Sequence, residues 1–199
     1  MSGGERLDLY SARVLAAQVL DLLGQSCERI DIAGSIRRER QDVGDIEIVA
    51  APRFEEEPAG LWGEPSTVDR LAARLGELAA DGLLLPRAVA VHRKDGSVET
   101  QQRVGDRYQA LAYRGFPVDL FIVRPPASFG VIFTIRTGPA DWSERLVTDC
   151  QRKFWRVQSG QLLKLGQPVE CPEERDFLRA IGQPWIEPRD RSAARVALP

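Results

Sequence analysis

Apolar residues recur along the chain with two distinct periods, and the switches between them mark out the elements. Between residues 7 and 23, Leu9, Val14, Leu15, Val19, Leu20 and Leu23 fall at helical spacing and Gly24 supplies a stop, which predicts an amphipathic first helix. Residues 29–33 alternate as a short strand and run into Gly34-Ser35, after which residues 36–40 are too polar for a core strand and predict a turn or short helix. Residues 44–50 alternate again, a second strand with Ile46 and Ile48 on one face and Asp45 and Glu47 on the other. Residues 52–65, rich in Pro, Gly and Glu, read as a loop, and the Leu71, Leu75, Leu78 series within residues 67–85 predicts a second helix covering one face of a sheet.

Two hairpins follow, one around residues 94–97 and one joining residues 108–113 to 118–123 through residues 114–117, so the middle of the chain is antiparallel or mixed sheet. Beyond Pro125-Pro126 the texture changes. Helical patterns over residues 129–135 and 140–149 are separated at Thr137-Gly138-Pro139, then come a hairpin from 154–157 into 162–165, a short helix over 172–181 and a tail. The expected fold is α+β, with one domain over residues 1–125 and a smaller α/β unit over 126–199.

Composition narrows the function classes. With 199 residues, 43% hydrophobic and 28% charged, the chain has apolar surface enough for a folded core and is neither disordered nor a multidomain machine. A balance of 27 Lys+Arg against 29 Asp+Glu, net -2, excludes a bulk polyanion binder, so any nucleic-acid role is local. Cys27, Cys150 and Cys171 are scattered, and the single histidine, His92, reads as a solvated hairpin residue, so neither a zinc site nor a histidine triad is expected. No stretch approaches the roughly 18 apolar residues of a membrane span, and the polar start is no signal peptide; a cytoplasmic, reduced setting and a monomer are expected.

The chemistry sits in three acids. Asp45 and Glu47 lie two apart on a strand and project to one side, and Asp119 interrupts another apolar strand, so the three are expected to converge. Clustered carboxylates repel one another, a cost that divalent cations remove, and all-oxygen donors suit Mg²⁺ or Mn²⁺. Two such ions activate an attacking oxygen and stabilise a leaving phosphate. Ten residues before Asp45 lies Ser35, in a Gly-Ser turn able to hold a phosphate, with Arg37, Arg38 and Arg40 to neutralise charge. Phosphoryl chemistry on a triphosphate is the expectation.

The string Gly34-Ser35-Ile36-Arg37-Arg38-Glu39-Arg40-Gln41-Asp42-Val43-Gly44-Asp45-Ile46-Glu47 resembles the signature of the polymerase-beta-like nucleotidyltransferases, most closely the family X DNA polymerases. Val118-Asp119-Leu120-Phe121 resembles the strand holding that family's third metal carboxylate. Phe129-Gly130-Val131 through Thr137-Gly138 resembles its nucleotide-binding helices, and residues 173–178 and 185–191 resemble its end. The resemblance implies a nucleotidyltransferase palm, a mixed sheet with helices on one face, and a carboxy-terminal nucleotide-binding subdomain. It implies that Gly34, Ser35 and Arg38 meet the β and γ phosphates, with a backbone contact from Gly44. It also implies that Asp45 and Glu47 hold both Mg²⁺ or Mn²⁺ ions, and that Asp119 holds the catalytic one and acts on the primer 3′-hydroxyl.

Ile135, Arg136, Thr137, Gly138 and Ser143 occupy the nucleotide positions. There Ile135-Arg136 stands where the family packs Tyr-Phe against the sugar, Ser143 where it carries an asparagine, and Glu47 where it usually carries aspartate. Only 33 residues precede Gly34, too few for the family's lyase and helix-hairpin-helix domains, so neither is expected. DNA contact then falls to Arg145, Arg152, Lys153 and Arg156, interleaved with Trp142, Phe154 and Trp155, although these aromatics read first as the core of the carboxy-terminal unit. The expected activity is addition of dNMP from a dNTP to a primer in primer-template or gapped DNA, with release of pyrophosphate. The alternatives are transfer to RNA, protein or a small molecule, and an inactive nucleic-acid-binding relative.

Overall fold

The structure, a computed structural model, describes residues 6–57, 66–92, 95–152, 155–192 and 194. A two-residue strand β1 (Leu7–Asp8) leads into helix α1 (Leu9–Leu23), whose N-terminus is capped by the Asp8 carboxylate accepting from the Ser11 N–H at 3.0 Å. Ala12, Ala16, Val19 and Leu23 form its buried stripe. Strand β2 (Cys27–Ile32) follows a short 3-10 turn, and Ala33 turns the chain into the single helical turn α2 (Gly34–Arg37), the short helix expected for the polar stretch. Strand β3 (Asp42–Val43) pairs with β1, and β4 (Ile46–Pro52) carries the expected alternation, with Ile46, Ile48 and Ala50 buried.

The expected loop over residues 52–65 is different in the structure. Strands β5 (Phe54–Glu57) and β6 (Ser66–Asp69) pair antiparallel, and residues 58–65 lie outside the described residues. This ribbon has no apolar alternation to betray it; charge holds it, with Arg70 meeting Glu55 at 2.6 Å and Glu57 at 3.4 Å. Helix α3 (Arg70–Ala80), capped by Asp69, is shorter than the expected 67–85, because the chain reverses at Gly82 into strand β7 (Leu84–Pro86). Strands β8 (Ala88–His92) and β9 (Val98–Gln102) form the first expected hairpin, with residues 93 and 94 of its turn outside the described set. Strands β10 (Tyr108–Tyr113) and β11 (Phe116–Ile122) form the second, through Arg114-Gly115.

The remainder holds helices α4 (Phe129–Thr137) and α5 (Ala140–Arg152), then strands β12 (Trp155–Gln158), β13 (Gln161–Lys164) and β14 (Gln167–Val169) in one antiparallel sheet, then α6 (Glu174–Ala180). Strand β14 was not expected; three residues interrupted by Pro168 carry too little pattern to be read. No helix among the described residues is long and apolar enough to cross a membrane.

The fold is mixed α+β. Its main sheet runs β2-β4-β11-β10-β7, with β4 and β11 parallel and every other pair antiparallel. One face, carrying Ile46, Ile48, Val118 and Leu120, packs beneath α1 and α3. The other carries Val49, Phe121 and Val123, and here α4 covers one end of the sheet with Phe129 and Phe133, so helices lie on both faces rather than one. A separate core gathers Trp142, Leu146, Leu162, Phe177 and Leu178 in the carboxy-terminal part.

Candidate active site

Parallel pairing of β4 with β11 sets the site. In that ladder Glu47 stands opposite Asp119, and Val49 opposite Phe121. Residues paired across neighbouring strands share a face about 4.8 Å apart. The two carboxylates therefore stand side by side on the face that α4 covers only beyond them, over Val49 and Phe121. Asp45 lies just before β4 and interacts electrostatically with both. Burial, then the Asp45 charge, pushes the Glu47 carboxyl up to about 7 against the pull of Arg38, and burial and Asp119 push Asp45 up likewise. Three carboxylates, two of them reluctant to ionise, make a donor set that suits hard divalent cations. Among the described residues no group of three His, Cys, Asp or Glu side chains closes into a ready-made metal cage.

Beside the carboxylates lies a cleft of about 480 Å³, whose walls include Ser35, Arg38, Asp45, Glu47, Ile135, Arg136, Gly138 and Ser143. Two polar atoms of these lining residues, Ser35 Oγ and Arg38 Nε, are closed off from solvent without a hydrogen-bond partner. Elsewhere Arg38 is anchored, donating from Nη1 to the Thr137 carbonyl at 2.7 Å. Gly34 backs the wall from behind. Its φ is +59°, and a Cβ there would sit 1.8 Å from Glu47 Oε2, so any other residue has to push that side chain aside. Gly34→Ala is expected to displace Glu47 in addition to the left-handed backbone cost of about 1–2 kcal/mol. Gly115 has a φ of +81° with nothing within 4 Å of a Cβ, so Gly115→Ala isolates the backbone cost. Chemical denaturation and Mn²⁺ titration of both variants should show weakened metal binding in Gly34→Ala alone; equal binding in the two would refute the displacement.

The remaining candidates divide. Arg136 lies at the cleft's exposed rim with its guanidinium 4.0 Å over the Phe121 ring. The Ser143 hydroxyl donates to the Ile135 carbonyl at 2.7 Å. Thr137 faces away from the cleft: it is fully buried, and its hydroxyl accepts from Arg37 at 2.7 Å. Gly44 approaches Arg6. Arg37, expected to neutralise phosphate charge, points instead to the carboxy-terminal part, stacking 3.9 Å from the Phe133 ring centre and pairing with Glu174. Trp142 is buried in the carboxy-terminal core, which removes it from any nucleic-acid surface, whereas Arg156 is exposed and Arg145 half-buried. Lys153, Phe154 and the Arg152 side chain lie outside the described residues.

Two groups in the site have no sequence signal. Arg87, between β7 and β8, pairs with Asp119, and the Tyr108 hydroxyl donates to the same carboxylate at 3.0 Å. Burial and then the Asp119 charge push the Tyr108 phenol up to about 12, so it remains a donor throughout the physiological range. No protein-family model matches the chain, and no curated protein matches it in sequence. The functional reading therefore rests on the site's own chemistry and on the residue pattern.

Proposed function

We propose that this protein is a metal-dependent nucleotidyltransferase built on a nucleotidyltransferase palm, adding dNMP from a dNTP to the 3′-hydroxyl of a DNA primer and releasing pyrophosphate. The observation that carries the reading is the pair of unpartnered buried groups, Ser35 Oγ and Arg38 Nε, in the same cleft as Asp45 and Glu47. Leaving a buried polar group unmatched costs about 1–3 kcal/mol, and an anion rich in acceptor oxygens relieves both at once. A triphosphate has such oxygens, and it brings the charge that a carboxylate cluster with bound cations accommodates.

Asp45, Glu47 and Asp119 would hold two Mg²⁺ or Mn²⁺ ions, which supply activation of the attacking oxygen and neutralisation of the leaving diphosphate. The chain's own groups do the rest. Turned into the cleft, Ser35 Oγ and Arg38 Nε donate to the β and γ phosphate oxygens and hold the leaving group. Arg136, at the rim, faces the sugar side of the cleft. Asp119 accepts the proton of the primer hydroxyl as its oxygen bonds to the α-phosphorus and the bond to pyrophosphate breaks. Arg145 and Arg156 are the described candidates for holding the DNA backbone.

The test is incubation with Mg²⁺ or Mn²⁺, labelled blunt, gapped and single-stranded primers, and each dNTP or rNTP, with Asp119→Ala alongside. Primer extension by the wild type and its absence in the variant are expected. Equal products from both on every substrate would sink the reading, and transfer only to RNA, protein or a small molecule would change the acceptor.

A further inference from the structure

We propose that Arg87 and Tyr108 are positioning residues that fix which oxygen of Asp119 faces the reaction. This rests on the nucleotidyltransferase reading above. Both donors that Asp119 receives among the described residues, Arg87 Nη2 and the Tyr108 hydroxyl, fall on the same oxygen, Oδ1. A carboxylate rotates readily about its last torsion, where the wells are broad and two-fold. Two donors on one oxygen restrain that rotation and leave Oδ2 without a donor among the described residues.

The donors are themselves held. The Arg87 backbone N–H donates to the Ala110 carbonyl at 2.8 Å and its Nε to the Leu111 carbonyl at 3.1 Å, so the residue is tied to β10 at its backbone and at Nε while Nη2 reaches β11. Tyr108 is set by the sheet: it pairs in register with Phe121 on β11, and the two ring centres lie 5.2 Å apart. Asp119 stands two residues before Phe121 on that strand and projects to the same face. The clamp is thus built across β10 and β11, with a guanidinium fork whose geometry a lysine cannot copy.

Charge-conserving variants test orientation without altering the net charge around the carboxylates. Arg87→Lys and Tyr108→Phe are each expected to weaken Mn²⁺ binding, read by the free Mn²⁺ signal in electron paramagnetic resonance without nucleotide, by about tenfold, the low end of the 10–100-fold seen for groups that orient metal ligands. Where transfer is measured, kcat should fall 10–100-fold with the KM for nucleotide within twofold of wild type. In an Asp119→Asn background neither variant should change Mn²⁺ binding further, because the group they orient is gone. Wild-type Mn²⁺ affinity in both variants overturns the proposal while leaving the site reading intact. A wild-type protein that binds no Mn²⁺ overturns both. A wild type that binds Mn²⁺ and transfers to no acceptor, with weakened binding in the variants, overturns the function and supports the clamp.

Discussion

Glu47→Gln is expected to do two opposite things: cripple transfer and stabilise the metal-free protein above neutral pH. The Glu47 carboxyl has an ordinary pKa of 4.5 and is raised to about 7 in the fold, first by burial and then by Asp45. Between those values the folded protein holds a proton that the unfolded chain has released. Its stability therefore falls as pH rises from about 4.5 to 7, by up to about 3 kcal/mol for a shift of this size. Below 4.5 both states are protonated and the penalty vanishes. Glutamine keeps the shape without the charge, so urea denaturation in a chelator from pH 4.5 to 8 should show a flatter profile in the variant, with a residual slope from Asp45, whose carboxyl is raised in the same way. Mg²⁺ should stabilise the wild type at pH 8 and the variant much less. Transfer should drop by roughly a thousandfold, the rate equivalent of several kcal/mol of lost charge stabilisation. The same pH slope in variant and wild type would remove Glu47 as the group under strain.

Glu174→Ala should be the most destabilising single change outside the apolar cores. Its carboxylate, 5% exposed, lies between Arg37 and the fully buried side chain of Arg191, accepting from Arg191 Nη1 at 2.9 Å. Trp142 and Trp185 flank the Arg191 guanidinium at 5.0 and 5.4 Å. Removing the acid leaves two guanidiniums facing each other without the carboxylate they share, and breaking a buried pair in this way costs about 3–5 kcal/mol. For a domain of this size that is a drop of roughly 6–20 °C in Tm. Burial pushes the Glu174 carboxyl up, but the Arg37 hydrogen bond and the charges of Arg191 and Arg37 outweigh it and hold it below its ordinary value. This contribution is present above the unfolded pKa and lost as pH falls, so the wild type should lose its advantage over the variant in acid. A Tm within 2 °C of wild type at pH 7 would show that the network carries no net stability.

That network also ties the Gly34-Ser35 turn to the carboxy-terminal part. Arg37 ends α2 and Arg38 follows it directly, yet one reaches Glu174 and the Thr137 hydroxyl while the other reaches the Thr137 carbonyl. In the sequence they are two letters of one basic run. Which of them turns to the cleft and which to α6 is settled by the helical turn that points them apart.

The sequence alone determined the elements with a strong period: α1, β2, β4, the β10–β11 hairpin, α4 and α5, each within a few residues. It determined that Asp45 and Glu47 share a face, because alternation on a strand settles which side chains point the same way without reference to the rest of the chain. It did not determine the β5–β6 ribbon or β14, which have no apolar alternation and owe their place to cross-strand hydrogen bonds and, for the ribbon, to ion pairs. Tertiary structure alone decided that Glu47 and Asp119, 72 positions apart, stand opposite each other, since this depends on the parallel register of β4 and β11. It alone brought Arg87 and Tyr108 onto one oxygen of Asp119, and Arg191 onto Glu174. Such contacts are long-range and polar, and a chain's periodicity records which way a side chain points, not what it will meet there.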